Sequence, residues 1–559
     1  MATRMRTALL LAPHNLKGNN LCDALRQQPE LHTTPQARGC TCRGKGLTLR
    51  IEVVRSAAEA LDLLRQEYYN LLIVDCRNPG GGDHEVAARE GEVNGFLEAL
   101  RREPDRERRY PFRRIVALVG DADPSRADRV IFAMGERHVG ACVRDRSFTH
   151  AHTPEQQEQA RRRFVAELWD LCRRTLTEKR RGKRAICAAG GGLSGLYYEL
   201  GVLKCLHDAS DLDVGTFDMY FGISAGALVT AGLATGFTID ELIAKFGGLD
   251  RGWPYRLRLE WRHLNLAEVP RRLLLAQKAL LEYVSRLARN EDELSVAAIL
   301  GTYGNLLGPI FDNRPLEEGV RRLLSSPGHS NDFRQLPRPL YIGATDQDRR
   351  EHVLFGDVGW DDVPISKAIQ ASTAMHPFFP SVEIKGRYFT DGIVTRTSNL
   401  RAAIDKGADL IIVVDPFVPL ITDRPGSNAR MGNMWVMEQD YKTMSFTRYE
   451  QARNEILRRS SKISVYTFVP SNRMRHLMSN QNPFVARNFH AIVCQAYSST
   501  FRRLKVLEYK LAGELASHGL TFDLGPVAAK VAALSAAPRP DAALLLGTAR
   551  AGSGRADVA

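Results

Sequence analysis

No uninterrupted apolar run among the 559 residues approaches the roughly 20 that a bilayer-spanning helix needs. The opening MATRMRTALLLAPHN sets basic residues before apolar ones, but the apolar stretch is too short for a signal peptide and no small-residue cleavage site follows. It reads as a first β-strand, and a cytoplasmic protein, at most peripherally attached to a membrane, is expected. Cysteine is also scarce: nine residues, with Cys40 and Cys42 the one close pair and no second pair or histidine cluster to complete a zinc site. Free thiols in a reducing compartment and no bound metal are the expectation. Zinc-finger, RRM and helix-turn-helix signatures are missing, so nucleic acid is not an expected partner. The net charge of +13 must then be placed elsewhere, and much of it lies in 101–114 and 161–184. Solvated helix faces and a linker account for it; attraction to an anionic lipid surface is the functional alternative.

What is present is ordinary globular usage, 44% hydrophobic and 25% charged, in a chain long enough for two or three domains. Over 1–150, the runs at 7–13, 47–56, 70–76, 113–120 and 139–145 read as buried parallel strands. The stretches at 58–70, 94–103 and 126–138 carry helical periodicity. Together they predict a flavodoxin-like, doubly wound α/β domain with a glycine-rich loop at 79–82. This stretch resembles the receiver domain of response regulators, and the resemblance puts Asp75 at the phosphoacceptor position. The acidic pair of that family is replaced by Pro13-His14-Asn15, its hydroxyl residue by Gly120 and its lysine by Arg144. One carboxylate alone is a poor magnesium site, so a degenerate docking or regulatory module, its partner unspecified, is expected in preference to phosphorylation at Asp75. A long helix and basic linker fill 151–184, and an α/β catalytic domain is expected over 185–425. Residues 426–527 read as mostly helical, and 528–559, rich in alanine, proline and glycine, as a disordered tail.

Three features of the middle stretch carry chemistry. In RAICAAGGGLSG a short strand runs into Gly190, Gly191, Gly192 and Gly195 and then a helix, so backbone N–H groups face a ligand oxygen at a helix N-terminus. Alone, this pattern also fits a dinucleotide-binding turn, with Asp211 or Asp213 as the ribose ligand. In FDMYFGISAGAL, Ser224 sits between Gly222 and Gly226 on a strand–turn–helix, the geometry of a nucleophile elbow; an ordinary βα turn with a capping serine is the alternative. One strand–helix–strand unit separates the two turns, which sets them at the same edge of neighbouring parallel strands. One turn can therefore hold a nucleophile and the other the donors of an oxyanion hole. In GRYFTDGIV, Asp391-Gly392 ends a strand, and a carboxylate there can serve as base only if it is desolvated or closely placed, its ordinary pKa being near 4. A plain Asp-Gly turn is the competing reading.

GGGLSG, GISAG and DGI in this order resemble the patatin-like phospholipases, and the resemblance extends over roughly 185–420 through ELGVLKCL, GPIFDNRPL, PLYIGATDQD, AIQAST and GADLIIVVD. It implies a three-layer α/β/α domain that hydrolyses acyl esters of phospholipids and related lipids without metal or cofactor. Ser224 would be the nucleophile, Asp391 the base, and the N–H groups around Gly191 and Gly192 the oxyanion hole. Two positions depart from the family pattern: Ser194 replaces a basic residue, and Ile393 replaces the small residue after Asp-Gly. His376 and His207 have no catalytic role to fill, and Asp346 is expected to end a strand. The aromatic and arginine-rich stretch with Trp253, Tyr255 and Trp261 suits a membrane-interface cap or a core-packed helix pair. The alternatives to a lipid acyl hydrolase are a catalytically silent scaffold and a nucleotide-binding module.

Overall fold

The computed structural model describes residues 5–547 except 14–20, 45, 68, 78–82, 104–109, 122, 149–152, 178–181, 212, 251–269, 271–273, 276, 279–280, 283, 286–288, 290–308, 310, 460–462 and 480–487. The glycine loop at 79–82 and the segment with Trp253, Tyr255 and Trp261 lie outside the described residues. The chain divides into two units, one of residues 1–181 with 504–522, the other of 182–503 with 523–559.

Apolar runs long enough to be buried on both faces form the parallel strands of the first unit. They are β1 (Met5–Leu11), β4 (Leu47–Val54), β5 (Leu71–Cys76), β6 (Ile115–Gly120) and β7 (Ala141–Asp145), arranged β4-β1-β5-β6-β7. This is the 2-1-3-4-5 order of the flavodoxin-like class. Helices α1 (Leu21–Arg26) and α5 (Pro154–Thr177) pack on one face through Leu25, Phe164, Leu168 and Trp169. Helices α2 (Ala57–Gln66), α3 (Asp83–Arg102) and α4 (Pro124–Glu136) cover the other through Ala60, Phe96, Leu97 and Met134. An antiparallel hairpin, β2 (His32–Gln36) and β3 (Gly39–Gly44), was not expected; it extends the sheet beyond β4. Its inward positions are Cys40 and Cys42, two residues apart and therefore on one face, both fully buried with sulfurs 3.8 Å apart.

At the carboxyl ends of β5 and β7 the buried Arg77 guanidinium binds both oxygens of Asp75, Nε at 2.9 Å and Nη2 at 2.7 Å, and reaches Asp145 with Nη1 at 2.9 Å. All three side chains are at most 3% exposed. A buried pair of carboxylates is tolerable only with such a counterion.

The sheet of the second unit runs β12-β13-β10-β9-β8-β14-β15, with β11 on β10. The parallel members are β8 (Lys183–Ala188), β9 (Met219–Ile223), β10 (Leu340–Asp346), β14 (Ala408–Val414) and β15 (Ser464–Phe468); β11 (His352–Phe355), β12 (Val382–Ile384) and β13 (Arg387–Asp391) are antiparallel. Between them come α6 (Gly192–Asp208), α7 (Ala225–Ala234), α8 (Ile239–Gly247), α9 (Arg314–Leu324), α10 (Ile365–Ser372) and α11 (Leu400–Asp405). Helices α12 (Asn433–Arg459), α13 (Asn472–Ser479), α14 (Phe489–Ser517, of which residues from 504 on belong to the first unit) and α15 (Gly525–Ala536) follow. One face of the sheet, with Cys187, Phe221 and Val413, packs on Leu400 and Ala403 of α11 and Tyr449 of α12; α7 lies on β8 and β9. Asp346 ends β10, as expected.

Two stretches differ from expectation. The segment 426–527 is mostly helical but contributes β15, whose SVYTF run is buried throughout and pairs in parallel with β14. Residues 525–536 form α15, where a disordered tail was expected from 528. Pro526 stands in its first turn, where a missing N–H costs nothing, and alanine is the strongest helix former. Lys530 then anchors it on Asp208 of α6 at 2.9 Å, and Asp208 also holds the buried Lys204 at 3.1 Å. Among the described residues no helix is long and apolar enough to cross a membrane.

Replacing Arg77 with alanine leaves Asp75 and Asp145 buried without their counterion. The expected cost is about 3–5 kcal/mol, seen in urea denaturation of the full chain as an earlier transition reported by fluorescence of Trp169, which packs in the first unit. An unshifted transition would count against the clamp.

Candidate active site

Parallel pairing of β8 with β9, Ala185 opposite Met219 and Ala188 opposite Gly222, brings the two glycine-bearing turns to one edge of the sheet. Ser224 caps α7 with φ 53° and ψ −122°, a conformation few side chains adopt. The turn is tight enough that a Cβ on Gly226 would meet the backbone of Ala188 at 2.4 Å, and one on Gly222 would meet Thr230 Oγ1 at 2.3 Å. The Ser224 N–H donates to Ser372 Oγ (2.8 Å), which donates onward to the Gly343 carbonyl (2.6 Å). Ser372 was missed as a separate residue, although it lies in the AIQAST run; its spacing from Ser224 carries no local signal.

The glycine turn closes over this serine. A Cβ on Gly190 would stand 3.1 Å from Ser224 Cβ and 3.6 Å from its Oγ. Gly191 caps α6, so the first N–H groups of that helix have no intrahelical acceptor and are free to face an anion. Gly195, counted with the oxyanion donors in the sequence, does not belong there. Its N–H donates to the Gly191 carbonyl at 3.0 Å, the first α-helical bond of α6. Its lack of a side chain instead admits Pro416, whose Cγ would lie 3.0 Å from a Cβ.

Asp391 ends β13, and the residue is 1% exposed. Burial pushes its pKa up to about 7; the Ile393 N–H, which donates to Oδ1 at 2.9 Å, and the neighbouring Ser224 side chain hold it from rising further. Ile393 stands beside Ser224 at the glycine turn: its Cδ1 would lie 3.2 Å from a Cβ on Gly190. Its side chain joins Ile223, Phe417 and Met375 in a small apolar cluster.

Behind the Asp-Gly turn runs a polar chain invisible in the sequence. Thr345 Oγ1 donates to the Asp391 carbonyl (3.0 Å) and meets Thr395 Oγ1 (2.9 Å). His352 Nδ1 lies 2.8 Å from Thr395 Oγ1 and Nε2 lies 2.7 Å from Asn399 Oδ1. Burial lowers the His352 pKa to about 4, so the imidazole is neutral, with Nε2–H donating to Asn399 and Nδ1 accepting from Thr395. Asn399, in the left-handed region with φ 53°, donates to the carbonyl of Gly222 at 3.5 Å. The chain thus ties the aspartate turn to the serine strand.

His376 is not part of the site: its ring nitrogens meet Thr390 and Ser381. His207 lies 3.7 Å from Asp213. Asp75, in the first unit, has its oxygens committed to Arg77, and Arg144 pairs with Asp121 and Asp128. Two further buried carboxyls were not foreseen. Glu199 of α6 has no hydrogen-bond partner, and burial, then the nearby Asp415, raises its pKa well above the usual range. Asp415, just before Pro416, is raised to about 7 by burial. Among the described residues no group of three or more His, Cys, Asp or Glu side chains is placed to hold a metal.

Residues 186–404 match the family model for patatin-like phospholipase. The segment that holds Ser224 and Asp391 is therefore a patatin-like phospholipase domain, of the lipid-hydrolase class. No curated protein matches the chain. Among solved structures it is similar to VipD from Legionella pneumophila, at 16% identity over 58% of this chain and 67% of that one with a TM-score of 0.28. It is also similar to full-length ExoU from the type III secretion system of Pseudomonas aeruginosa, solved in complex with full-length SpcU, at 16% identity over 64% and 78% with a TM-score of 0.21.

A Cβ on Gly392 would meet the Gly343 carbonyl at 2.3 Å. Gly392→Ala is therefore expected to lower stability by about 1–3 kcal/mol, measured as a drop in melting temperature. Wild-type melting in that variant would contradict the close packing of β10 against the Asp-Gly turn.

Proposed function

We propose that the second unit is a serine hydrolase of carboxylic esters in phospholipids and related lipids, with Ser224 as nucleophile and Asp391 as its base. The observation that carries this reading is the buried Asp391 carboxyl, raised to about 7 by burial, with the Ser224 side chain beside it holding it from rising further. A general base works best when its pKa lies near the operating pH. Ser224 Oγ attacks the ester carbonyl as its proton passes to Asp391, and the tetrahedral oxyanion forms against the N–H groups of Gly190, Gly191 and Gly192 at the positive end of α6. Asp391 returns the proton to the leaving alkoxide. Water then attacks the acyl-enzyme, again giving its proton to Asp391, and Ser224 is freed. No cofactor enters the cycle.

The first unit acts in this reading as a docking or regulatory module without phosphorylation, because the guanidinium of Arg77 stands on both oxygens that a phosphoryl donor and a magnesium ion would need. A cytoplasmic enzyme reaching its substrate at an anionic membrane surface is consistent with the net charge of +13.

Ser224→Ala is expected to reduce hydrolysis of a fluorogenic phospholipid by about 10⁴-fold or more, with circular dichroism unchanged; undiminished turnover would sink the assignment. Wild-type kcat/KM should rise with pH, about tenfold per unit below pH 7 and level above it, since only ionised Asp391 accepts the proton. Stability runs the other way. A carboxyl whose pKa is raised on folding stabilises most below its unfolded value near 4, and that contribution is lost as pH rises through about 7. Asp391→Asn should therefore gain on the order of 1–4 kcal/mol at pH 8 relative to wild type while losing activity. A variant destabilised at pH 8 would contradict the buried carboxylate.

A further inference from the structure

A groove of about 650 Å³ opens behind the Asp391 turn, bounded by residues 395–401 and by α12. Its volume is that of a small-ligand site, and its charge is one-sided. Arg396, Arg401 and Arg448 line it against the single carboxylate of Glu455, which lies 3.4 Å from Arg401. Among the described residues Arg396 and Arg448 have no carboxylate within ion-pairing distance. Arg448 spends its donors on neutral groups, Nη2 to the Ile393 carbonyl at 2.9 Å and Nη1 to that of Val394 at 2.7 Å. Burial first and the neighbouring Arg396 charge second work against its protonated form. Two guanidiniums thus line one groove, and the charge of Arg396 acts on Arg448. Ser398 supplies an independent sign. Its residue is 3% exposed, it lines the same groove, and its Oγ has no hydrogen-bond partner. A buried hydroxyl without a partner destabilises the fold unless an acceptor reaches it.

We propose that this groove is a binding site for a phosphoryl group, carried by a lipid headgroup or free as phosphate, held between Arg396 and Arg448 with Ser398 donating to a phosphoryl oxygen. The planar forks of arginine suit tetrahedral oxyanions better than any other side chain, and a dianion balances the uncompensated charge. The site is separate from the one that holds Ser224, yet Arg448 grips the carbonyl of Ile393, whose N–H donates to Asp391. Occupancy therefore bears on the same turn.

Calorimetric titration of the full chain with inorganic phosphate, and with glycerol 3-phosphate as a soluble headgroup, tests the proposal without reference to turnover. Both are expected to release heat, and Arg396→Gln, at an exposed position, to weaken binding about tenfold or more; Ser398→Ala should weaken it several-fold. Flotation of the Ser224→Ala protein with phosphatidylcholine vesicles, with and without phosphatidic acid, separates the sources. Arg396-dependent recruitment by phosphatidic acid assigns the site to a headgroup, and binding of soluble phosphate alone assigns it to the free anion. Titrations without heat from either probe, or binding unchanged in both Arg396→Gln and Arg448→Gln, would overturn it. If Arg448→Gln fails to fold, Arg396→Gln alone decides.

Discussion

The site depends on one unfavourable burial. A carboxyl buried at the end of β13 has its pKa raised to about 7 by desolvation, against which the Ile393 N–H bond and the neighbouring Ser224 side chain act. A solvated aspartate would have a pKa near 4 and little proton affinity at pH 7. The antiparallel pairing of β13 with β10, the close approach of Gly392 to Gly343 and the apolar cluster around Ile393 pack the turn that holds that group. The backbone of Ser224, at φ 53°, is the complementary constraint: it holds the residue in a conformation that few side chains adopt.

Much of this was legible because it rests on local requirements. Gly222 and Gly226 announce an elbow, since no side chain fits beside Ala188 or Thr230, and unbroken apolar runs such as ADLIIVV read as strands buried on both faces. The flavodoxin-like order of the first unit follows from the same alternation of strands and helices. Even Ile393, which looked like an intrusion beside the Asp-Gly pair, takes a place that an apolar residue fills.

The rest was hidden by distance along the chain. Ser372, Thr345, His352 and Asn399 meet the site only through tertiary pairing, and each is an unremarkable polar residue in its own segment. Gly195 shows the opposite error. A glycine in a motif suggested a ligand contact, whereas packing against Pro416 is what requires it. The hairpin at 32–44 escaped notice because cysteine, not a β-branched residue, marks its inward face, and α15 because alanine with proline resembles a disordered composition as much as a helix.

The central claim is that Ser224 is a nucleophile made reactive by Asp391. Labelling the full chain with a fluorophosphonate and mapping the adduct by peptide mass spectrometry tests it most directly. The account predicts one adduct, on Ser224, forming faster as pH rises through about 7 and lost in Asp391→Asn. An unlabelled Ser224, or labelling at the same rate without Asp391, would contradict it.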